Sequence, residues 1–315
     1  MSRRFPAMRT SRLAGAAAGF AAVALTLSAC GPSAADQNAS GGDEIVFASI
    51  PSEESTSLQA SYQPVLDMLA KETGKTVRFQ QATDYAAVIE GQRAGKIDIA
   101  QYGPFSYVLA KNKGVAATAV SGQVEAKGEA PGYLSYGITR PDSGINGLAD
   151  LRGKKVCFVD PTSTSGYLYP KAGLLKAGIN TDTDIQPIYS GGHDSAALAV
   201  AKGDCDAGFA QNATVDTQLV EKGQLKPGEL RTIWRSETVP GSPVAVSDEL
   251  APQVGEKVTA ALREKANSDY LRANGFCQGD CKLGDIGGWG YAPVDDAFYN
   301  GIREVCDVTR DKQCQ

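Results

Sequence analysis

The stretch Val159-Asp160-Pro161-Thr162-Ser163-Thr164-Ser165-Gly166-Tyr167 reads as the end of a strand, a turn, and the start of a helix. A helix start leaves backbone N–H groups unpaired and carries partial positive charge. Side-chain hydroxyls added there make a donor-rich cradle suited to a tetrahedral oxyanion. A single Ser or Thr would suffice as an N-cap, which is the plainer reading of the same residues. The form recurs. Tyr189-Ser190-Gly191-Gly192-His193-Asp194-Ser195 is again strand, glycine turn and helix, and His193 is the only histidine of the chain. At a helix start it could donate to an anion, or serve as a cap or a surface residue. Gln101-Tyr102-Gly103-Pro104 and Thr83-Asp84-Tyr85 are two more junctions of this kind, where each tyrosine could equally be ordinary packing.

Outward from these junctions, β-rich runs alternate with segments of helical spacing. Glu44–Ile50, Thr76–Gln80, Ile97–Ala100 and Val115–Ser121 read as strands separated by helices, with Tyr133–Thr139 a further strand. A second set begins at Lys155–Val159 and includes Ile185–Tyr189 and Ala207–Ala210, and Arg231–Trp234 and Val244–Val246 read as further strands. Such alternation predicts helices packed over mostly parallel sheets, an α/β class. Two sets predict two lobes, with the chain crossing between them near Tyr136 and Pro243. Helices around Gln253–Ala266 and Val294–Val305 follow without a new sheet and are expected to return to the first lobe. The expected division is a first lobe of residues 44–136 plus 244–315 and a second of 137–243. Ligands of open α/β sheets bind at the carboxyl ends of strands, so facing lobes place the site in the cleft between them.

The 315 residues are 42% hydrophobic and 21% charged, which excludes a mainly disordered chain. A net charge of −5, with no basic run, argues against nucleic acid as a partner. No P-loop and no dinucleotide fingerprint appears, and no cofactor is expected. The charge is uneven: Arg3, Arg4, Arg9 and Arg12 precede an uncharged apolar stretch from Leu13 to Leu27. At about 15 residues that stretch is short for a membrane span and suits a signal peptide over residues 1–29. It ends in Leu27-Ser28-Ala29-Cys30-Gly31, which resembles the lipobox of bacterial lipoproteins and marks Cys30 for lipidation. Residues 30–43 are then the lipidated cysteine and a flexible tether, rich in Ser, Ala, Gly, Asn and Asp. The expected address is extracytoplasmic, at the cell membrane through the lipid alone. Six other cysteines remain, an even number that suits an oxidising compartment. Spacing predicts Cys277–Cys281 and Cys306–Cys314, and Cys157–Cys205 if their strands are neighbours. A zinc site is disfavoured by the single histidine and the lack of Cys-x2-Cys, and no metal is expected.

Together the motifs resemble the substrate-binding proteins of phosphate, phosphite and phosphonate ABC importers. The resemblance spans about Glu44 to Val305. It rests on Thr83-Asp84-Tyr85-Ala86 with Ile89, Asp98-Ile99-Ala100-Gln101-Tyr102-Gly103, and Ala130-Pro131-Gly132-Tyr133. It rests further on the Asp160–Gly166 stretch, on Gly192-His193 followed by Ala197-Leu198-Ala199-Val200, and on Ile233-Trp234 with Ser236 before Pro240-Gly241 and Pro243. It implies the type II periplasmic-binding-protein architecture with the ligand between two lobes. It implies a phosphonate head held by Tyr85, Tyr133, Ser163, Thr164, Ser165 and His193; of these only Tyr133 is not singled out by the junctions themselves. Tyr102 joins the candidates from its own junction. In members that take aminoalkylphosphonates two carboxylates hold the amine; the matching positions here are Ala213 and Ser242. A buried ammonium would go uncompensated there, which favours a phosphorus oxyanion without an amine.

The expected function is a monomeric extracytoplasmic lipoprotein that delivers a small phosphorus oxyanion to an ABC permease and its ATPase, without catalysis. Two other readings stay open: a hydrolase using Ser163 or Ser165 with His193, although no Gly-x-Ser-x-Gly elbow is present, and a ligand sensor of the same fold that works without transport.

Overall fold

The computed structural model describes residues 42–52 and 55–315. The leader, Cys30 and the tether up to residue 41 lie outside the described residues.

Three β-rich runs, β1 (Glu44–Ser49), β2 (Thr76–Gln81) and β3 (Ile99–Gln101), pair in parallel in the order β2-β1-β3. Parallel strands need long crossovers. Here they are α1 (Ser55–Thr73) and α2 (Tyr85–Arg93). The chain continues through α3 (Pro104–Asn112) to β4 (Ala117–Val124), then through β5 (Gly132–Tyr133) into β6 (Ser135–Thr139) of a second sheet. That sheet repeats the plan. Strands β7 (Lys155–Phe158), β8 (Gln186–Tyr189) and β9 (Ala207–Gln211) form a parallel trio β8-β7-β9, crossed by α4 (Tyr169–Lys176) and α5 (His193–Lys202). After the short α6 (Leu219–Glu221), β10 (Arg231–Arg235) pairs antiparallel with β6. Strand β11 (Val239–Pro240) pairs with β5, and β12 (Pro243–Ser247) enters the first sheet antiparallel between β3 and β4. Each sheet is therefore a parallel trio flanked by an antiparallel strand, β6 or β12, that arrives from the other half of the fold. Helices α7 (Pro252–Glu264) and α8 (Ser268–Ala273) follow, then β13 (Gly290–Pro293) beside β4, and finally α9 (Asn300–Thr309).

The period of two along β1 sorts its side chains onto two cores. Ile45 and Phe47 join Leu66, Val246 and Leu262 under α1 and α7. Ala48 faces the other way, into a cluster that runs through Ala100 and Val108 to Ile138, Phe158 and Phe209 of the second sheet. The helices between the sheets thus share apolar contacts with both. Each fully buried Phe or Leu contributes about 1.5–3 kcal/mol.

Two elements differ from the sequence expectation in ways that matter for the site. The helix read to start after the Ser163–Ser165 turn begins as a wide π turn, Thr164–Leu168, before α4, with the Leu168 N–H donating to Ser163 O at 3.0 Å. The strand expected over Tyr133–Thr139 breaks at Leu134, whose N–H donates to Asn212 Oδ1 at 2.9 Å, so that Tyr133 sits on a separate two-stranded ribbon. Strand β13 was not anticipated, because its pairing with β4 is tertiary and its four residues end in Pro293.

The disulfides are Cys157–Cys205, Cys277–Cys281 and Cys306–Cys314. The first links β7 to the segment entering β9, its neighbour in the sheet. The last ties the C-terminal residues back onto α9, which lies against α3 and α4. Within that closed loop Asp311 is fully buried; its carboxylate is 2.6 Å from Lys171 Nζ and accepts the Tyr167 hydroxyl at 2.7 Å. Burial alone would raise the Asp311 pKa, but hydrogen bonds from Lys171, Tyr167 and the Gln313 N–H outweigh it and leave it below the ordinary 3.8.

Candidate functional site

The turn after β7 is shaped by Gly166. A Cβ there would fall 2.3 Å from Val159 Cγ2, so only glycine lets the helix start close onto the strand end. Within this turn the three hydroxyls do different things. Ser163 is the N-cap, and its Oγ accepts from the Gly166 N–H at 3.1 Å. Thr164 Oγ1 accepts from the N–H of Phe105, at the start of α3, at 2.8 Å. Ser165 Oγ is buried and has no hydrogen-bond partner. A hydroxyl has one proton and two lone pairs. Ser163 and Thr164 spend a lone pair on the protein and keep a proton to give.

Tyr85 opens α2, where Asp84 caps the helix by accepting from the Ala87 N–H at 2.7 Å. The Tyr85 hydroxyl is buried with no hydrogen-bond partner. Burial pushes its pKa far up, with Asp160, Asp285 and Tyr133 adding to the rise, while the nearby Ser163 hydroxyl lowers it. Ser163 is thus close to Tyr85 without completing a hydrogen bond. Tyr133, on the ribbon, is also raised by burial and by Asp285, and lowered by the hydroxyls of Ser165, Ser242 and Thr164 around it. Both phenols stay neutral donors.

His193 is buried at the start of α5, which begins after Gly192. Its backbone N–H donates to Ser52 O at 2.9 Å, across from the loop after β1. Its Nδ1 accepts from the Gln211 N–H at 3.1 Å, which assigns the ring proton to Nε2. Burial lowers its pKa to about 3, so the imidazole is neutral and donates through Nε2–H.

The structure thus brings together Tyr85, Tyr133, Ser163, Thr164 and Ser165 at one turn. Tyr102 is not among them: its hydroxyl donates to Gln92 Oε1 at 2.9 Å, within the buried cluster that runs between the two sheets. For Tyr102 the packing reading describes what the side chain does. Ala213 and Ser242 are both buried, and Ser242 faces Tyr133. Asp285, on the loop before β13, was missed; it is 2% exposed and acts on Tyr85 and Tyr133. Nothing local in Gly284-Asp285-Ile286 signals it, because its burial is tertiary. No Lys or Arg is among the groups acting most strongly on either tyrosine. Among the described residues no three His, Cys, Asp or Glu converge as a metal would require.

Neutral donors converging on a buried point, from both sheets, are what an oxyanion needs. Residues 47–296 match the family described as ABC transporter, phosphonate, periplasmic substrate-binding protein. The chain belongs to this family. It is 49% identical to the "Phosphate-import protein PhnD" of Mycolicibacterium smegmatis over 307 residues, covering 94% of this chain and 96% of that one. It is 33% identical to the "Phosphonates-binding periplasmic protein" of Escherichia coli over 67% of this chain and 63% of that one. Among solved structures, the methylphosphonate complex of PhnD1 from Prochlorococcus marinus aligns at a TM-score of 0.72 with 16% identity, over 85% of this chain and 99% of that one. The binding component of an ABC phosphonate transporter from Pseudomonas aeruginosa aligns at 0.74 with 25% identity, over 85% and 86% of the two chains. The fold is the two-lobed type II architecture of periplasmic binding proteins, and the chain is an extracytoplasmic substrate-binding protein of an ABC importer family. Among the described residues no helix is long and apolar enough to cross a membrane.

Proposed function

We propose that this protein binds a small phosphorus oxyanion, a phosphonate, phosphite or phosphate, between its lobes and hands it to an ABC permease driven by its ATPase. One observation carries this: the hydroxyls of Tyr85 and Ser165 are buried without a partner, beside hydroxyls that still have protons to give. Burying an unpaired polar group costs free energy, and a bound oxyanion removes that cost. The donors match charged oxygens without a permanent cation. Names among the relatives, one a phosphate importer and one a phosphonate binder, agree with this ligand class.

In this reading the lobes are residues 44–136 with 244–315, and 137–243, one around each sheet, the division falling inside β6 and at the start of β12. Tyr85 and Tyr133 come with the first and Ser163–Ser165 and His193 with the second, so a ligand touching both favours the closed form. In this reading Cys30 carries the lipid, the protein acts as a monomer on the extracytoplasmic face of the cell membrane, and it performs no catalysis. A Ser/His hydrolase would need an imidazole that takes a proton near neutrality, and the His193 pKa of about 3 is far from that.

Titration calorimetry with phosphite, phosphate, methylphosphonate and 2-aminoethylphosphonate tests the ligand class. Heat and a raised melting temperature with the phosphorus oxyanions are expected. No binding by any of them would refute the reading. Solution scattering with saturating ligand checks closure, with a smaller radius of gyration expected.

A further inference from the structure

Between Cys281 and Trp289 the chain makes a tight hairpin. Leu283 and Gly288 pair across it, each N–H donating to the other's carbonyl at 3.0 Å. Gly284, with a φ of 68°, opens the turn, and a Cβ there would collide with the Gln123 side chain. The root of the hairpin belongs to the first sheet's side. Ser268 Oγ lies 2.5 Å from Cys281 O and 2.8 Å from Trp289 O, the two ends of the hairpin. The Trp289 N–H donates to Glu125 O at 2.9 Å, and Leu283 is buried in the core under α1 and α7. The Cys277–Cys281 disulfide braces the approach. The tip is held from the other side. Asp285 O accepts from Gln211 Nε2 at 3.1 Å and from Gln218 Nε2 at 2.7 Å. Gln218 is aimed by Thr214, whose Oγ1 donates to Gln218 Oε1 at 3.0 Å and leaves the amide N–H groups for the tip. Beside them Lys282 Nζ lies 2.6 and 2.7 Å from the two carboxylate oxygens of Glu221.

Gln211, Gln218 and Glu221 fall in the half assigned to the second lobe, and the hairpin falls in the half assigned to the first. A braced hairpin rooted in one half thus fastens to the other, through no residue of the proposed anion cradle. We propose that the hairpin 281–289 is a closing strap: its tip docks on the second lobe as the lobes meet, adds a share to closure that does not depend on the ligand, and slows the guest's release. The proposal rests on the two-lobe reading above. A contact made only in the closed form raises the population of that form, and the apparent affinity of a ligand that needs it rises with that population. The paired amide donors on one carbonyl supply direction, while the exposed ion pair adds little. Such contacts act on every guest alike. The strap then sets how tightly guests are kept, and the cradle sets which guests are taken.

The test is calorimetry and stopped-flow binding of phosphate and methylphosphonate to wild type and Gln218→Glu, which keeps the acceptor for Thr214 and loses the donor to Asp285 O. The Kd should rise about three- to tenfold, by the same factor for both ligands and through faster release. In solution scattering, ligand-free Q218E should have a larger radius of gyration than ligand-free wild type, and saturating ligand should bring the two together. Unchanged affinity and release in Q218E overturn the proposal. A loss that differs between the two ligands also overturns it, because Gln218 would then act on the guest. If Q218E does not fold, a charge swap on the exposed pair decides: Glu221→Lys should weaken binding about twofold at low salt, and adding Lys282→Glu should restore it. Any other outcome of the swap overturns the strap. Wild type that binds neither ligand refutes the oxyanion reading and leaves the strap to the ligand-free scattering comparison. Scattering that changes with ligand in neither protein refutes closure itself, and the strap with it.

Discussion

Two buried polar clusters lie a few residues apart in the chain and use opposite chemistry. At Ser163–Ser165 the groups are neutral hydroxyls, one of them unpaired. At Lys171, Tyr167 and Asp311 the groups form a buried ion pair with a third hydrogen bond, all satisfied within the protein. The clasp is permanent, so its charges are each paired and a net gain or small cost is fixed once at folding. In the proposed reading the cradle accepts and releases a charged guest, and its donors there are neutral hydroxyls that carry no counter-charge to hold it.

Breaking the clasp should have the largest effect. Asp311→Ala strands the Lys171 ammonium, whose side chain is 10% exposed, and should cost about 3–5 kcal/mol of stability by chemical denaturation. A much smaller loss would mean that the clasp opens readily. The cradle should respond in the other currency. Tyr85→Phe or Ser165→Ala should weaken oxyanion binding by about 1.5–3 kcal/mol while leaving the free protein as stable as before or more so, because the deleted hydroxyl has no protein partner. Calorimetry and thermal melting of the same samples decide this. Parallel loss of stability and affinity would erase the distinction between the two clusters.

A third effect concerns acid. The unfolded chain protonates its histidine near 6.5, whereas folded His193 resists until about 3. The unfolded state therefore binds the extra proton, and stability present above 6.5 falls as pH drops toward 3 by at most about 1.4 kcal/mol per pH unit. His193→Gln should flatten that window. Asp311 acts lower: its folded pKa lies below 3.8, so its contribution is lost only as pH falls through that depressed value. The smallest effect is expected at the exposed pair of Lys282 and Glu221, 2.6 Å apart, where Lys282→Ala should leave the melting temperature unchanged within error.

How much of this was readable depends on whether a residue's role is local. The Ser163–Ser165 turn was legible because strand, turn and hydroxyls are contiguous, and Tyr85 and His193 because each opens a helix. Tyr133 came through resemblance, since a two-residue strand has no periodicity to detect. Asp285 was invisible because its burial depends on Gln211, Gln218 and Tyr291, all distant in sequence. The junction at Tyr102 could not show that its hydroxyl donates to Gln92 on the preceding helix, because no spacing rule shows which way a phenol turns. The clasp could not be read either, although Cys306 and Cys314 bracketed Asp311 from the start.

The ribbon of β5 and β11 sets a mechanical rule for the whole molecule. Both connections between the sheets run through it, side by side and hydrogen-bonded at Tyr133 with Val239 and Gly132 with Pro240. Paired strands can flex together but cannot slide past each other, so the closure proposed above has its axis there. Tyr133 stands on that axis and has almost no lever arm. In the proposed site it keeps its place through every angle of opening, while residues carried by the second sheet move with that sheet. In that reading the pivot itself carries a ligand-binding residue.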